Sequence, residues 1–201
     1  VPRIAELRPP AQPTTPLQQE RCDRALAAAS RLGAELGLEH VQMQQVAAEA
    51  GLALGTLYRY YPSKHHLFAG VLARNVADLG DASLADGSKA SDQPDTAGAA
   101  VADFMAAACR SMLRQPLLAR AMINSVNAVR TEGQSGPDYV MRDRILVVAG
   151  IDSPCDADLR LARLVEQCAY GVLTWAVAGA SDPEEAAADL RRACLLLCAD
   201  W

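Results

Sequence analysis

The sequence predicts an all-α protein with a small helical head and a larger helical body. Apolar residues recur at three- and four-residue spacing along most of the chain. Hydrophobic content is 51% but aromatic content only 4%, and alanine and leucine dominate the apolar set, which favours helix over sheet. One compact run, Val46 to Lys64, has the layout of a helix, a tight turn and a second short helix. A chain of 201 residues has room for one such head and one modest body.

Residues 1–16 hold five prolines and little apolar periodicity, and read as a flexible arm. Arg3 and Arg8 suit either a minor-groove contact or a plain solvated leader. The first helix spans 17–36, with Cys22, Ala25, Leu26, Ala29, Leu32 and Leu36 as its stripe, and Gly37 ends it.

In the central run Val46, Ala47 and Ala50 share a helical face, and Gly51 sits where a helix end favours a left-handed residue. The second helix covers 54–61 and is stopped by Pro62, because proline disfavours a helical residue before it. Leu57 and Tyr61 are four apart and read as its buried anchors. Thr56 and Tyr60 lie on another face beside Arg59, offering a hydroxyl, a methyl, a phenol and a guanidinium to base edges and phosphates. Gly55 permits close backbone approach. Ser63 reads as the cap of the next helix, and Lys64 in its first turn as a phosphate anchor. A surface hairpin of helices with ordinary aromatic packing is the plainer alternative. The clustering of Gly51, Gly55, Tyr58, Tyr60, Pro62, Ser63 and Lys64 argues against it.

At these residues the segment 19–72 resembles the DNA-binding domain of the TetR family of bacterial repressors. The resemblance implies an all-α homodimer, with a three-helix head and a helical body that holds a small-molecule effector. It places DNA contacts on Gln44, Gly55, Thr56, Tyr58, Tyr60 and Lys64, with Gln42 and Arg59 also eligible. This chain has Ala53 where the family often has a serine cap, a substitution that removes about 1 kcal/mol of helix stabilisation. Further strings are similar to the branch of that family that represses cholesterol catabolism: Val41-Gln42-Met43, Gln115-Pro116-Leu117-Leu118 with Ala121-Met122, and Leu173-Thr174-Trp175. That similarity thins out over 78–98 and 131–154.

Charge divides unevenly. Residues 1–65 carry a net of +1 and the remainder −6, giving −5 for the chain. DNA affinity should therefore rest on a few placed contacts and on dimerisation, not on a broad basic surface.

The next helix covers 64–79, with Leu67, Phe68, Val71, Leu72 and Val76 inward, and 80–96 reads as a loop. The head is thus bounded at 17–63 and the effector-binding and dimerisation body at 64–201. A body helix carries Val101, Phe104, Met105, Ala108, Cys109, Met112 and Leu113. Pro116 opens the following one, a favoured place for proline. A weaker helix covers 138–148, and two long ones cover 156–178 and 183–198. Their wide apolar faces suit helix pairing, either within the chain or, as the resemblance implies, in the four-helix bundle of a homodimer.

Met105, Met112 and Met122 cluster on successive body helices, as core filling or as an adaptable pocket. The resemblance favours the pocket. It assigns an apolar small-molecule effector to Met105, Cys109, Met112, Leu118, Met122, Val126, Cys168, Val172 and Trp175. A sterol coenzyme A thioester would also need a basic mouth, for which Arg110, Arg114, Arg120 and Arg130 are eligible.

Cys22, Cys109, Cys168 and Cys194 fall in apolar helical patterns and read as small core residues. Cys194 and Cys198 are four apart, but no further ligands accompany them, so no metal and no cofactor is expected. No paired carboxylates, nucleophile elbow, phosphate loop or histidine cluster points to an enzyme. No signal peptide or membrane-length apolar run is visible, so a soluble, cytoplasmic protein without membrane contact is expected. The reading is a ligand-released repressor of lipid or sterol catabolism that binds a palindromic operator in double-stranded DNA as a dimer. A multidrug or fatty-acyl-responsive regulator of the same fold is the alternative, and a dimeric lipid-binding or scaffold protein that no longer reads DNA a more distant one.

Overall fold

The computed structural model describes residues 10–85, 96–131 and 140–201. Those residues form helices α1 (Pro16–His40), α2 (Met43–Glu49), α3 (Leu54–Tyr60), α4 (Lys64–Ala85), α5 (Ala97–Leu113), α6 (Pro116–Thr131), α7 (Val140–Val148), α8 (Asp156–Val177) and α9 (Pro183–Leu197). No helix among them is long and apolar enough to cross a membrane.

Local chemistry sets the helix ends. Thr15 caps α1 by accepting from the Gln18 amide, with Pro16 in the first turn. Thr96 does the same for α5 and Asp182 for α9. Ser63 accepts from the His66 amide at the start of α4. Ala53 precedes α3 with no side-chain cap, as its methyl dictates.

Two helix ends and the arm differ from the sequence reading. Gly37 adopts φ 75° and breaks the helical backbone, but a further turn carries α1 to His40. Helix α4 runs to Ala85 instead of ending at 79. Gly80 costs a helix only about 1 kcal/mol relative to alanine, and Ala82, Leu84 and Ala85 favour continuation. Of the proline-rich arm, residues 10–13 lie against the head, where the Ala11 amide donates to the Arg59 carbonyl at 3.0 Å. Arg3, Arg8 and most of the expected 80–96 loop lie outside the described residues.

Two apolar cores organise the fold. The first joins α1 to α4 with one face of α6, through Leu26, Val46, Leu57, Phe68, Val71, Leu118 and Met122. The second joins α5 to α9, through Val101, Met105, Ile123, Ile145, Val165, Leu190 and Cys194. Helix α6 serves both. Ala121, Met122 and Val126 face the first core while Ala119 and Ile123 face the second.

Glycine allows two close approaches. A Cβ on Gly33 would meet the Phe68 ring at 2.5 Å, so α1 sits tightly on α4. A Cβ on Gly98 would run into the Cys198 carbonyl, so α5 lies directly against the end of α9. Arg191 to Asp103 at 2.6 Å and Arg110 to Glu184 at 2.9 Å fasten the same pair of helices. Between the halves, Arg144 donates to the Ala77 carbonyl at 3.0 Å, and His65 and Ser125 lie 3.2 Å apart.

Candidate DNA-reading surface and effector cavity

Helices α2 and α3 enclose a turn at 50–53 in which Gly51 takes φ 64°. Leu57 is fully buried and seats α3 on the first core. The outward side of α3 presents Gly55, Tyr58 and Arg59, with Thr56 half-buried beside them and Tyr58 45% exposed. A Cβ on Gly55 would meet nothing within 4 Å, so the fold itself does not need glycine there. On α2, Gln44 is exposed, and Gln42 is held at the helix start by a bond from its amide to Gln45 Oε1 at 3.1 Å.

Tyr60 departs from the outward place read from the sequence, while Tyr61 packs against the first core as expected. Tyr60 is 6% exposed and buried in the head, while Tyr61 is half-buried. Helix α3 ends at Tyr60. Tyr61 has extended φ and ψ of −128° and 91°, so the four-residue helical spacing from Leu57 no longer sets its direction. Tyr60 does not share the outward face with Thr56. Burial pushes the Tyr61 phenol well above its ordinary range, and the hydrogen-bonded Cys22 thiol pushes it the same way.

Lys64 has a structural role. Its Nζ donates to the carbonyls of Val41 at 3.1 Å and Glu39 at 3.3 Å, closing the corner between α1 and α2. An ammonium has three donors, so one remains for an external anion.

A partly open cavity of about 1000 Å³ lies between α1, α4, α6, α7 and α8, with residues 10–13 and Tyr60 at the end of α3 completing its wall. Its lining is largely apolar, including Leu26, Leu72, Val76, Val126, Val129 and Met141. Polar groups are few: Gln12, Gln19, Tyr61 and His66 from the arm and head, and Arg130, Glu166 and Tyr170 from α6 and α8. Glu166 is only 4% exposed; Arg142 Nε lies 2.6 Å from it, and Arg130 stacks 4.2 Å over the Tyr170 ring. An apolar volume with a few placed polar groups is what a small-molecule site requires.

Residues 25–71 match the model of bacterial regulatory proteins of the tetR family, and residues 95–197 match the tetracyclin repressor-like C-terminal domain. The chain belongs to the TetR family of transcriptional regulators. It is 32% identical over 169 residues to the HTH-type transcriptional repressor KstR of Mycolicibacterium smegmatis, covering 82% of this chain and 80% of that protein. It is 33% identical over 152 residues to KstR of Rhodococcus jostii, covering 74% and 68%. A crystal structure of a TetR transcriptional regulator from Rhodococcus sp. RHA1 superposes with a TM-score of 0.79 at 37% identity, over 90% of this chain and 97% of that one. The protein is thus a DNA-binding regulator and not an enzyme.

For this TetR regulator, the residues expected around an effector do not converge. Val126 alone among them lines the cavity. Met105 and Cys109 are buried in the second core, and Cys168 and Val172 pack at its margin. Leu118 and Met122 fill the first core, Met112 sits between the two, and Trp175 is 70% exposed on α8. The physical reason is that α5 is drawn onto α9, so its methionines fill core instead of bordering space. Of the four arginines proposed for a basic mouth, Arg130 alone reaches the cavity. Arg110 pairs with Glu184, Arg114 donates to Ser111, and Arg120 caps the Val177 carbonyl. Sequence reasoning missed the contributions of α1 and α4. The signal was Ala69, Gly70 and Ala73, small residues on the α4 face where bulk would have closed the space.

Among the described residues no group of three His, Cys, Asp or Glu side chains could hold a metal. Cys194 and Cys198 are both buried in the second core.

Proposed function

We propose that this protein is a ligand-released repressor that binds a palindromic operator as a homodimer and controls lipid or sterol catabolism. The observation that carries the reading is the adjacency of two features. The outward side of α3 offers Gly55, Thr56, Tyr58 and Arg59 to a major groove. The inner end of the same helix, at Tyr60, and the residue after it, Tyr61, border an apolar cavity of about 1000 Å³. The cavity has the size and lining for an apolar ring system, with Arg130 and Tyr170 to meet an oxygen function. The likeness to KstR repressors supports the sterol-catabolism assignment.

Dimerisation through α8 and α9 is supported by apolar exposure. Leu164, Cys168, Gly171 and Trp175 recur at helical spacing on α8, and Leu164 is 42% and Trp175 70% exposed. Leu196 on α9 is 64% exposed. A Cβ on Gly171 would meet nothing within 4 Å, leaving room for a second helix.

The test is fluorescence anisotropy on labelled DNA from the protein's own upstream region, titrated with a sterol coenzyme A thioester and with a plain fatty-acyl thioester. Salt-sensitive binding reversed by the sterol thioester alone supports the reading. Reversal by the fatty-acyl thioester instead favours a fatty-acyl regulator, and no binding at low salt defeats the operator assignment.

A further inference from the structure

We propose that residues 10–13 are a working wall of the effector cavity, shared with the recognition helix α3, through which an occupant of the cavity acts on DNA reading. The inference rests on the reading of that cavity as the effector site.

Three observations meet at one place. Pro10, Ala11, Gln12 and Pro13 line the cavity. The Ala11 amide donates to the Arg59 carbonyl at 3.0 Å. Tyr60 and Tyr61, the next two residues of the chain, line the same cavity. Arg59 is therefore tied to the arm through backbone, and the two residues after it to the cavity.

The Arg59 carbonyl is one of the last in α3 and has no partner within the helix. The arm supplies that partner. Helix α3 has seven residues, too short to hold its own position, so contacts from outside fix where it lies. One side is fixed by Leu57 in the first core, and the C-terminal end by the buried Tyr60 and by the bond from Ala11.

The arm suits this task. Pro10 and Pro13 restrict it to extended backbone, so little freedom is lost when it lies along the wall. Its exit from α1 is fixed by the Thr14 amide, which donates to Gln18 Oε1 at 2.8 Å. Between those proline and threonine anchors a single backbone bond ties it to α3. A ligand that gains contact with residues 10–13 by drawing them inward breaks that bond and releases the end of the recognition helix. Such a ligand shifts the equilibrium by its preference for the released state.

The test compares the wild type with Ala11→Pro, which removes the donor and keeps an extended backbone, and with a variant lacking residues 1–13. The cavity probe is the apolar fluorophore N-phenyl-1-naphthylamine. Hydrogen–deuterium exchange is read for peptides covering 54–61, with α5 and α9 as internal references. In the wild type the probe should speed exchange over 54–61 by about threefold or more. In both variants that segment should already exchange fast, with no further response. Ala11→Pro should bind the probe about threefold more tightly, because the bond no longer opposes binding, whereas loss of the whole wall should weaken it. Probe binding with unchanged exchange over 54–61 and equal affinity in all three proteins overturns the shared wall and leaves the cavity reading intact. A wild type that does not bind the probe removes the cavity reading, and the shared wall falls with it.

Discussion

Lys64 Nζ donates to the Val41 carbonyl at 3.1 Å, so the lysine that opens α4 also closes the α1–α2 corner. The same side chain has a structural duty and, in the proposed complex, a phosphate to meet. Lys64→Ala should lower stability by about 1 kcal/mol through the lost bonds. It should also weaken DNA binding across all sequences and reduce the salt slope by about one. Urea unfolding and salt-dependent anisotropy on the same preparation separate the two losses.

Gly55 offers the opposite case. No atom lies within 4 Å of the place a Cβ would occupy, so Gly55→Ala should leave the fold intact and stabilise α3 by up to about 1 kcal/mol. If that face approaches a DNA backbone, the added methyl should cost at least tenfold in affinity, about 1.4 kcal/mol. An unchanged affinity would mean that Gly55 does not face the groove.

Gly98 and Gly33 predict different severities for the same substitution. In Gly98→Ala the methyl meets the Cys198 backbone carbonyl, which cannot move without shifting α9. In Gly33→Ala it meets the rim of the Phe68 ring, which can tilt. Thermal melts should show Gly98→Ala destabilised by about 1–3 kcal/mol, with Gly33→Ala milder because helix propensity offsets part of its strain.

Alkaline pH should destabilise this protein. Burial raises the thiols of Cys109 to about 11 and Cys194 to about 12, and raises Cys22, Cys168 and Cys198 as well. A thiol raised in the folded state stays protonated there after it has ionised in the unfolded chain. Its contribution is complete below the ordinary thiol value of 9.0 and is lost as pH climbs through the folded values. Melting temperature should fall steadily between pH 9 and about 12, and Cys194→Ala should flatten that slope whatever it does to stability at neutral pH.

The head was legible because its information is local. Gly51 at φ 64°, Pro62 after α3 and Ser63 at the start of α4 are each set by the residue itself and its nearest neighbours. The burial of Tyr60 was not legible, because in a helix of seven residues periodicity does not resolve which of the last ones turn inward. The cavity was not legible. Its walls come from an arm and six helices, and it depends on where α5 is absent as much as on what is present. A pattern of methionines marks a residue's character, and only the packing of α5 on α9 decides that Met105 fills core.

The two-faced character of α6 bears on how the molecule comes apart. Met122 and Ile123 are adjacent in the chain, yet each completes a different core. Neither half can melt without stripping one side of this helix and exposing apolar surface belonging to the other. The head of this regulator is therefore not an excisable module. Calorimetry should record one cooperative transition for head and body together, and a fragment ending before Pro116 should lack the surface on which its own core closes.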